Sequence, residues 1–209
     1  MSLARPAGMY TRPHVNEGII MNRVIVIEFT TLDGIVDDPD GADGTPHGGW
    51  AFRYGPEAVS GDPFELGALL STGALVLGRA TWQLFSKIWP SRSDDFSVKM
   101  NTIPKWVASH TVTDVSAWNN SALIQGDVTE RVRQLRDDRD VIVMGSLSVA
   151  HTLMRADMVD EYRLIVFPAV LGAGRRLFTS PAGASDLRMV SAQPRGATAR
   201  LRYERQPAH

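Results

Sequence analysis

Apolar residues in this chain follow two alternating patterns. Some form short continuous runs, and others recur every three or four positions. The first run, "RVIVIEFT" at 23–30, is β-branched and aromatic and reads as a buried strand. A second, "ALVL" at 74–77, stops at Gly78, and "GRATWQLF" behind it carries helical spacing. "PKWVAS" at 104–109 predicts a third strand. In "GDVTERVRQLRDDRD", Asp127 and Glu130 stand at capping-box spacing while Val128, Val132 and Leu135 share one face, which predicts a surface helix. "DVIVMG" is strand again, "SLSVAHTLMRA" a short helix, and "VDEYRLIVFPAV" a strand ended by Pro168. The closing "DLRMVSAQPRGATARLRYER" alternates as a hairpin turning near Pro194–Gly196. A further helix is expected from Pro56 to Leu70. The sum is an α/β fold, with a central, mostly parallel sheet, helices on its flanks and an antiparallel C-terminal hairpin at one edge.

Two stretches show little pattern. Residues 1–21, with Pro6, Gly8, Pro13 and Gly18, suit neither helix nor strand. They read as an unstructured tail, native or left by cloning, which leaves a single domain over 22–209. The segment "TLDGIVDDPDGADGTPHGGWAFRYGP" is about 25 residues long, far beyond the usual connection of about 4–6. Trp50, Phe52 and Tyr54 argue against disorder there. Trp50 and Phe52 suit a lid or the wall of a substrate pocket, and packing of the loop on the core would use the same rings.

Composition narrows the choice of partners. A formal net charge of −1 over 209 residues leaves no electrostatic footprint for nucleic acid or an acidic membrane. No apolar run approaches the roughly 18–20 residues of a bilayer span, and residues 1–21 lack the apolar centre of a secretory signal. Cysteine is absent, which excludes disulfides and thiolate chemistry and fits a cytoplasmic location. Histidines at 14, 47, 110, 151 and 209 show no metal-ligand spacing. Asp37, Asp38, Asp40 and Asp43 lack the register of a calcium loop and are expected to be solvated, so no metal is expected.

The strand exits carry the candidate chemistry. Where a parallel strand feeds a helix, the first helical amides lack partners and carry partial positive charge. Gly78 removes a Cβ from such a turn, Arg79 adds a guanidinium suited to phosphate, and Thr81 adds a hydroxyl. A tight turn with a solvated arginine would look the same. Gly145-Ser146-Leu147 repeats the arrangement, and Ser109, His110 and Thr111 make a third polar strand end. Two anion seats beside a polar strand end suit a dinucleotide, although G-x-G-x-x-G is absent. Glu28 interrupts an apolar strand, so its carboxylate needs either a polar site or a cationic partner. Asp33 could orient substrate or water, or serve the Asp-Gly turn it belongs to. "PAVLGAGRRLF" reads as structural, with Arg175 and Arg176 as possible substrate charges.

"TLDGIV" at 31–36, "GRATW" at 78–82, "VASHT" at 107–111 and "VMGSLSVAHTL" at 143–153 occur in the order seen in dihydrofolate reductases. "GSLSVAHTLMRADMVDEYRLIVFPAVLGAGRRLF" looks still more like proteins similar to the reductase domain of the bifunctional riboflavin-biosynthesis deaminase-reductase. The resemblance covers about residues 23–205. It implies an NADPH-dependent reductase that hands a hydride to a small heterocyclic substrate. Gly78, Arg79 and Thr81 would sit at the cofactor phosphates, with Arg79, Ser109 and His110 near the 2′-phosphate. Gly145, Ser146 and Leu147 would cradle the pyrophosphate, and the backbone of Phe29 and Val36 would flank the nicotinamide carboxamide. Asp33 and Glu28 are the catalytic candidates, and a homodimer is the family-level expectation. The chain departs from the pattern in three places: for the acidic residue that dihydrofolate reductases carry on the helix before the second strand, only Asp62 stands at about the right distance, without the usual folate-site neighbours. Glycines of dihydrofolate reductases give way to Ser146 and Leu147, and 55–71 holds no Arg or Lys to receive a substrate phosphate. A non-catalytic NADP(H)-binding sensor or scaffold, and dihydrofolate reductase activity itself, are the rival expectations.

Overall fold

The apolar runs become adjacent strands of one eight-stranded sheet in the computed structural model, which describes residues 22–179 and 186–206. The strands are β1 (Val24–Thr31), β2 (Ala74–Gly78), β3 (Lys105–Ala108), β4 (Ser121–Leu123), β5 (Val141–Met144), β6 (Glu161–Phe167), β7 (Leu187–Arg195) and β8 (Thr198–Arg205). Their order across the sheet is β4-β3-β2-β5-β1-β6-β8-β7. The first six are parallel; β8 runs antiparallel to β6 and β7 antiparallel to β8. The expected mostly parallel sheet with its antiparallel C-terminal edge is therefore present.

Continuous rather than alternating apolarity in β1, β2 and β5 follows from burial on both faces. On one face Ile25, Ile27, Leu75, Leu77 and Ile142 pack with Trp50, Leu70, Trp82, Met100 and Phe167. On the other, Val24, Val26, Val76, Val141 and Val143 meet Val132, Leu135, Val149 and Leu153. These last four come from α4 (Val128–Asp138) and α5 (Leu147–Arg155).

The expected helix over 56–70 is not continuous. A single 3-10 turn covers Pro56–Ala58, and α1 is only Leu69–Thr72. Between them Asp62 accepts hydrogen bonds from the amides of Leu66 and Gly67 at 2.8 and 2.7 Å, and Gly67 has φ +52°. The side chain offers the backbone a turn in place of a helix. Two further helices are α2 (Arg79–Ile88) and α3 (Asp95–Thr102), and α3 and β4 carry too little periodicity to be read from sequence.

Two buried charges anchor the amino-terminal ends of the strands. Glu161 is fully buried on β6 and meets Arg23 and Arg163 at 2.6 Å and Arg202 at 2.8 Å. Lys105, 1% exposed at the start of β3, donates to the carbonyls of Asn101, Ile103 and Asn119 and lies 4.5 Å from the Trp118 ring centroid. Burial pushes its amine down to about 8.

Candidate active site

The chain after β2 turns through α2 to β3, and α2 packs on the sheet face that holds Trp82. After neighbouring β5 it turns through α5, on the opposite face, and crosses β1 to reach β6. Connections leaving two adjacent parallel strands in opposite directions open a crevice at their carboxyl ends. The amino termini of α2 and α5 border that crevice.

Both of these termini lack side-chain caps. Gly78 occupies the N-cap of α2 and has no side chain to offer. Ser146, an N-cap residue by type, makes no cap bond on α5, and its hydroxyl lies 2.9 Å from the Ser148 hydroxyl. The two other helices of comparable length are closed: Asp94 accepts from Ser97 N at the start of α3, and Asp127 from Thr129 N and Glu130 N at the start of α4. Only half of the expected capping box forms on α4, because the Glu130 side chain turns to Arg133 and Gln134.

The two glycine turns interlock. Gly78 N donates to Gly145 O at 3.3 Å. A Cβ on Gly78 would fall 1.9 Å from Ser146 Oγ, and one on Gly145, which has φ +62°, would fall 2.8 Å from Thr81 Oγ1. The space that Gly78 leaves is therefore taken by the Ser146 hydroxyl, and not kept open for a ligand. Gly78, Thr81, Gly145 and Ser146 form one cluster instead of two separate turns, with Leu147 opening α5 beside them.

Gly78 is also in register with Ala108, which sets Ser109 and His110 at the adjoining strand end. Ser109 Oγ accepts from Thr111 N and Val112 N, which leaves its hydroxyl proton to donate. The Arg79 guanidinium is exposed and held by Gln83 Oε1 at 3.2 Å. His110 is exposed.

β1 supplies the other side of the crevice. Phe29 lies two residues past the last β1–β5 pair, Ile27 with Met144, and its half-buried ring stacks on Phe64 at 5.2 Å. Glu28 points to the opposite face, half-buried, with no hydrogen-bonded side-chain partner among the described residues. Burial pushes its carboxyl up to about 8, against the smaller opposing effects of the Phe29 amide and the Arg175 charge.

Several candidates prove to be strapped into the loop. The Asp33 carboxylate accepts from Thr31 Oγ1 at 2.6 Å, Gly172 N at 2.8 Å and Leu171 N at 3.3 Å, and these donors hold it below the ordinary aspartate range. It ties β1 to the chain after β6, which leaves little of it for substrate. The Val36 amide donates to Arg175 O at 2.9 Å and is not free for a carboxamide. Arg175 pairs with Asp37, and Arg176 donates to the Asp33 carbonyl, as a structural connection requires. Asp38 is 3% exposed, not solvated: burial alone would raise its carboxyl, and donors from Asp43 and Thr45 outweigh it. Trp50 is enclosed, with its ring 5.1 Å from Phe167 and its Nε1 donating to Asp37 O, so it packs the loop to the core and lines no open pocket. Phe52 is 61% exposed and faces solvent. Among the described residues no cluster of His, Cys, Asp or Glu could hold a metal ion, and no helix is long and apolar enough to cross a membrane.

The sheet order, the terminal hairpin and the crevice between α2 and α5 define a dihydrofolate-reductase-like α/β protein. Within that class the chain belongs to the RibD C-terminal domain family, whose model matches residues 22–199. It is 26% identical over 179 residues to the uncharacterized protein YyaP of Bacillus subtilis, covering 81% of this chain and 87% of that one. Its fold is shared with a Shewanella sp. PV-4 protein provisionally described as a riboflavin biosynthesis protein (TM-score 0.69, 20% identity, 88% and 99% coverage). It is also shared with the diaminohydroxyphosphoribosylaminopyrimidine deaminase/5-amino-6-(5-phosphoribosylamino)uracil reductase of Thermotoga maritima (TM-score 0.60, 14% identity). That alignment takes in 89% of this chain but 57% of the bifunctional one.

Proposed function

We propose that the chain is an NADPH-dependent reductase of a small heterocyclic compound. The observation that carries this reading is the pair of uncapped helix termini meeting at the switch point, beside an arginine. Their amides and the Ser146 and Ser148 hydroxyls would hold the pyrophosphate, while Arg79, Ser109 and His110 would take the 2′-phosphate. NADPH, when bound, supplies the hydride. The protein's part is to fix the ring at the end of β1 against Phe29, to exclude water with the loop strapped by Asp33 and Asp38, and to hold a proton. Glu28 is the group suited to that last task, because its carboxyl keeps its proton at neutral pH.

The uracil reductase activity named for the Thermotoga protein is one substrate possibility. Against a phosphorylated substrate, the flank at 56–72 carries Glu57, Asp62 and Glu65 and no Arg or Lys. Stopped-flow absorbance at the nicotinamide band, with NADPH and a panel of aminopyrimidines and pterins, tests the reading. Oxidation of NADPH by at least one acceptor is expected. Tight binding without oxidation across the panel would favour a sensor or scaffold.

A further inference from the structure

Residues 60–65, in the irregular flank before α1, are held to the sheet by arginines from three strands. Arg195 of β7 donates to Ser60 O and Arg200 of β8 pairs with the Glu65 carboxylate, both at 2.6 Å. Arg163 of β6 donates to the carbonyls of Phe64, at 3.1 Å, and Glu65.

Arg163 is the unusual member of the three. It is 7% exposed and stands in register with Ile27, on the face that also carries the buried Ile25, Ile165 and Phe167. A guanidinium is tolerated there because its fork finds acceptors on both sides: Nε donates to Glu161 at 2.6 Å and Nη1 to the two carbonyls. The backbone that it grips is itself out of the ordinary. Glu65 has φ +51°, a left-handed conformation that a non-glycine residue rarely adopts. Such a conformation persists where its surroundings over-determine it, as Arg163 on the carbonyl and Arg200 on the carboxylate do here.

What this clamp places is a ring. Phe64 stacks on Phe29, with centroids 5.2 Å apart and planes at 22°, and Phe167 meets Phe29 at 75° and 5.4 Å. Phe167 belongs to β6 and is fixed by the sheet. Phe64 belongs to a turn, and its carbonyl is one of the two that Arg163 holds. We infer that Arg163 is a positioning residue for the nicotinamide ring: through the Phe64 and Glu65 carbonyls it keeps the Phe64 ring behind Phe29, and so sets the wall at the exit of β1. The inference rests on the cofactor reading above and adds to it a residue that acts through others.

NADPH titrations of the full chain, read both for affinity and for the emission of the bound nicotinamide, test this. Arg163→Lys and Phe64→Leu should each leave NADPH affinity within about threefold, lower the emission gain on binding at least about twofold, and lower kcat with any acceptor of the panel about tenfold or more. The double variant should match Phe64→Leu alone, because Arg163 acts through that ring. Arg23→Gln removes another partner of Glu161 and touches neither carbonyl, so it should lower the melting temperature and leave emission and kcat unchanged. Unchanged emission in Arg163→Lys, losses that add in the double variant, or an equal loss in Arg23→Gln would overturn the inference. Phe64→Leu leaves the ion cluster intact and decides alone if Arg163→Lys does not fold: unchanged emission there overturns the inference as well. Absence of saturable NADPH binding by the unaltered protein would overturn the cofactor reading itself, and the inference with it.

Discussion

A carboxylic acid that stays protonated at neutral pH leaves a mark on stability. Glu28 has its value raised from 4.5 to about 8, so the native state binds its proton more tightly than the unfolded chain does. That contribution is complete below about 4.5 and is lost as pH rises towards 8, above which the loss levels off. Glu28→Gln abolishes the dependence. Thermal melts from pH 4 to 9 should show the variant gaining on the unaltered protein through this window, by about 4 kcal/mol at pH 8. If the proton is also delivered to substrate, the same variant lowers kcat roughly 10–100-fold while NADPH affinity holds. Equal slopes in the two melts would show that Glu28 is ionised in the folded protein.

Among the helices of eight or more residues, capping separates α3 and α4, which are closed, from α2 and α5, whose termini are proposed to receive the cofactor. Ser148 is exposed in the first turn of α5, where an added carboxylate favours the helix but opposes a bound phosphate. Ser148→Asp should keep or slightly raise the melting temperature and weaken NADPH binding about tenfold or more, read by nucleotide fluorescence. The central strands are legible in the sequence because burial on two faces leaves unbroken runs such as "VIVIEFT" and "ALVL", whereas the three half-buried residues of β4 leave none. Asp127 was legible because a cap is local. The contact of Gly78 with Ser146 was not, since it joins two turns far apart in sequence, and each glycine looked as if it served a ligand. Asp33 was likewise ambiguous: its donors, Leu171 and Gly172, are set by tertiary folding. The 56–70 region misleads because its apolar spacing is helical while Asp62 and Gly67 turn the backbone.

Across the molecule, the proposed cofactor site and the buried ion cluster of Glu161 occupy opposite ends of the sheet. Glu161 sits where β6 begins, in register with Ile25, while the crevice lies where β2 and β5 end. Glu161→Gln leaves Arg163 without its partner carboxylate and should cost about 3 kcal/mol in denaturant unfolding, with NADPH affinity unchanged. The central claim concerns the other end, that two open helix termini and one guanidinium receive a phosphorylated pyridine dinucleotide. Parallel titrations of NADPH and NADH into the unaltered protein and Arg79→Ala test it most directly. The account predicts saturable binding of NADPH that falls at least about tenfold in the variant, with NADH hardly affected. Absence of saturable binding by either nucleotide, or an equal loss for both, would contradict it.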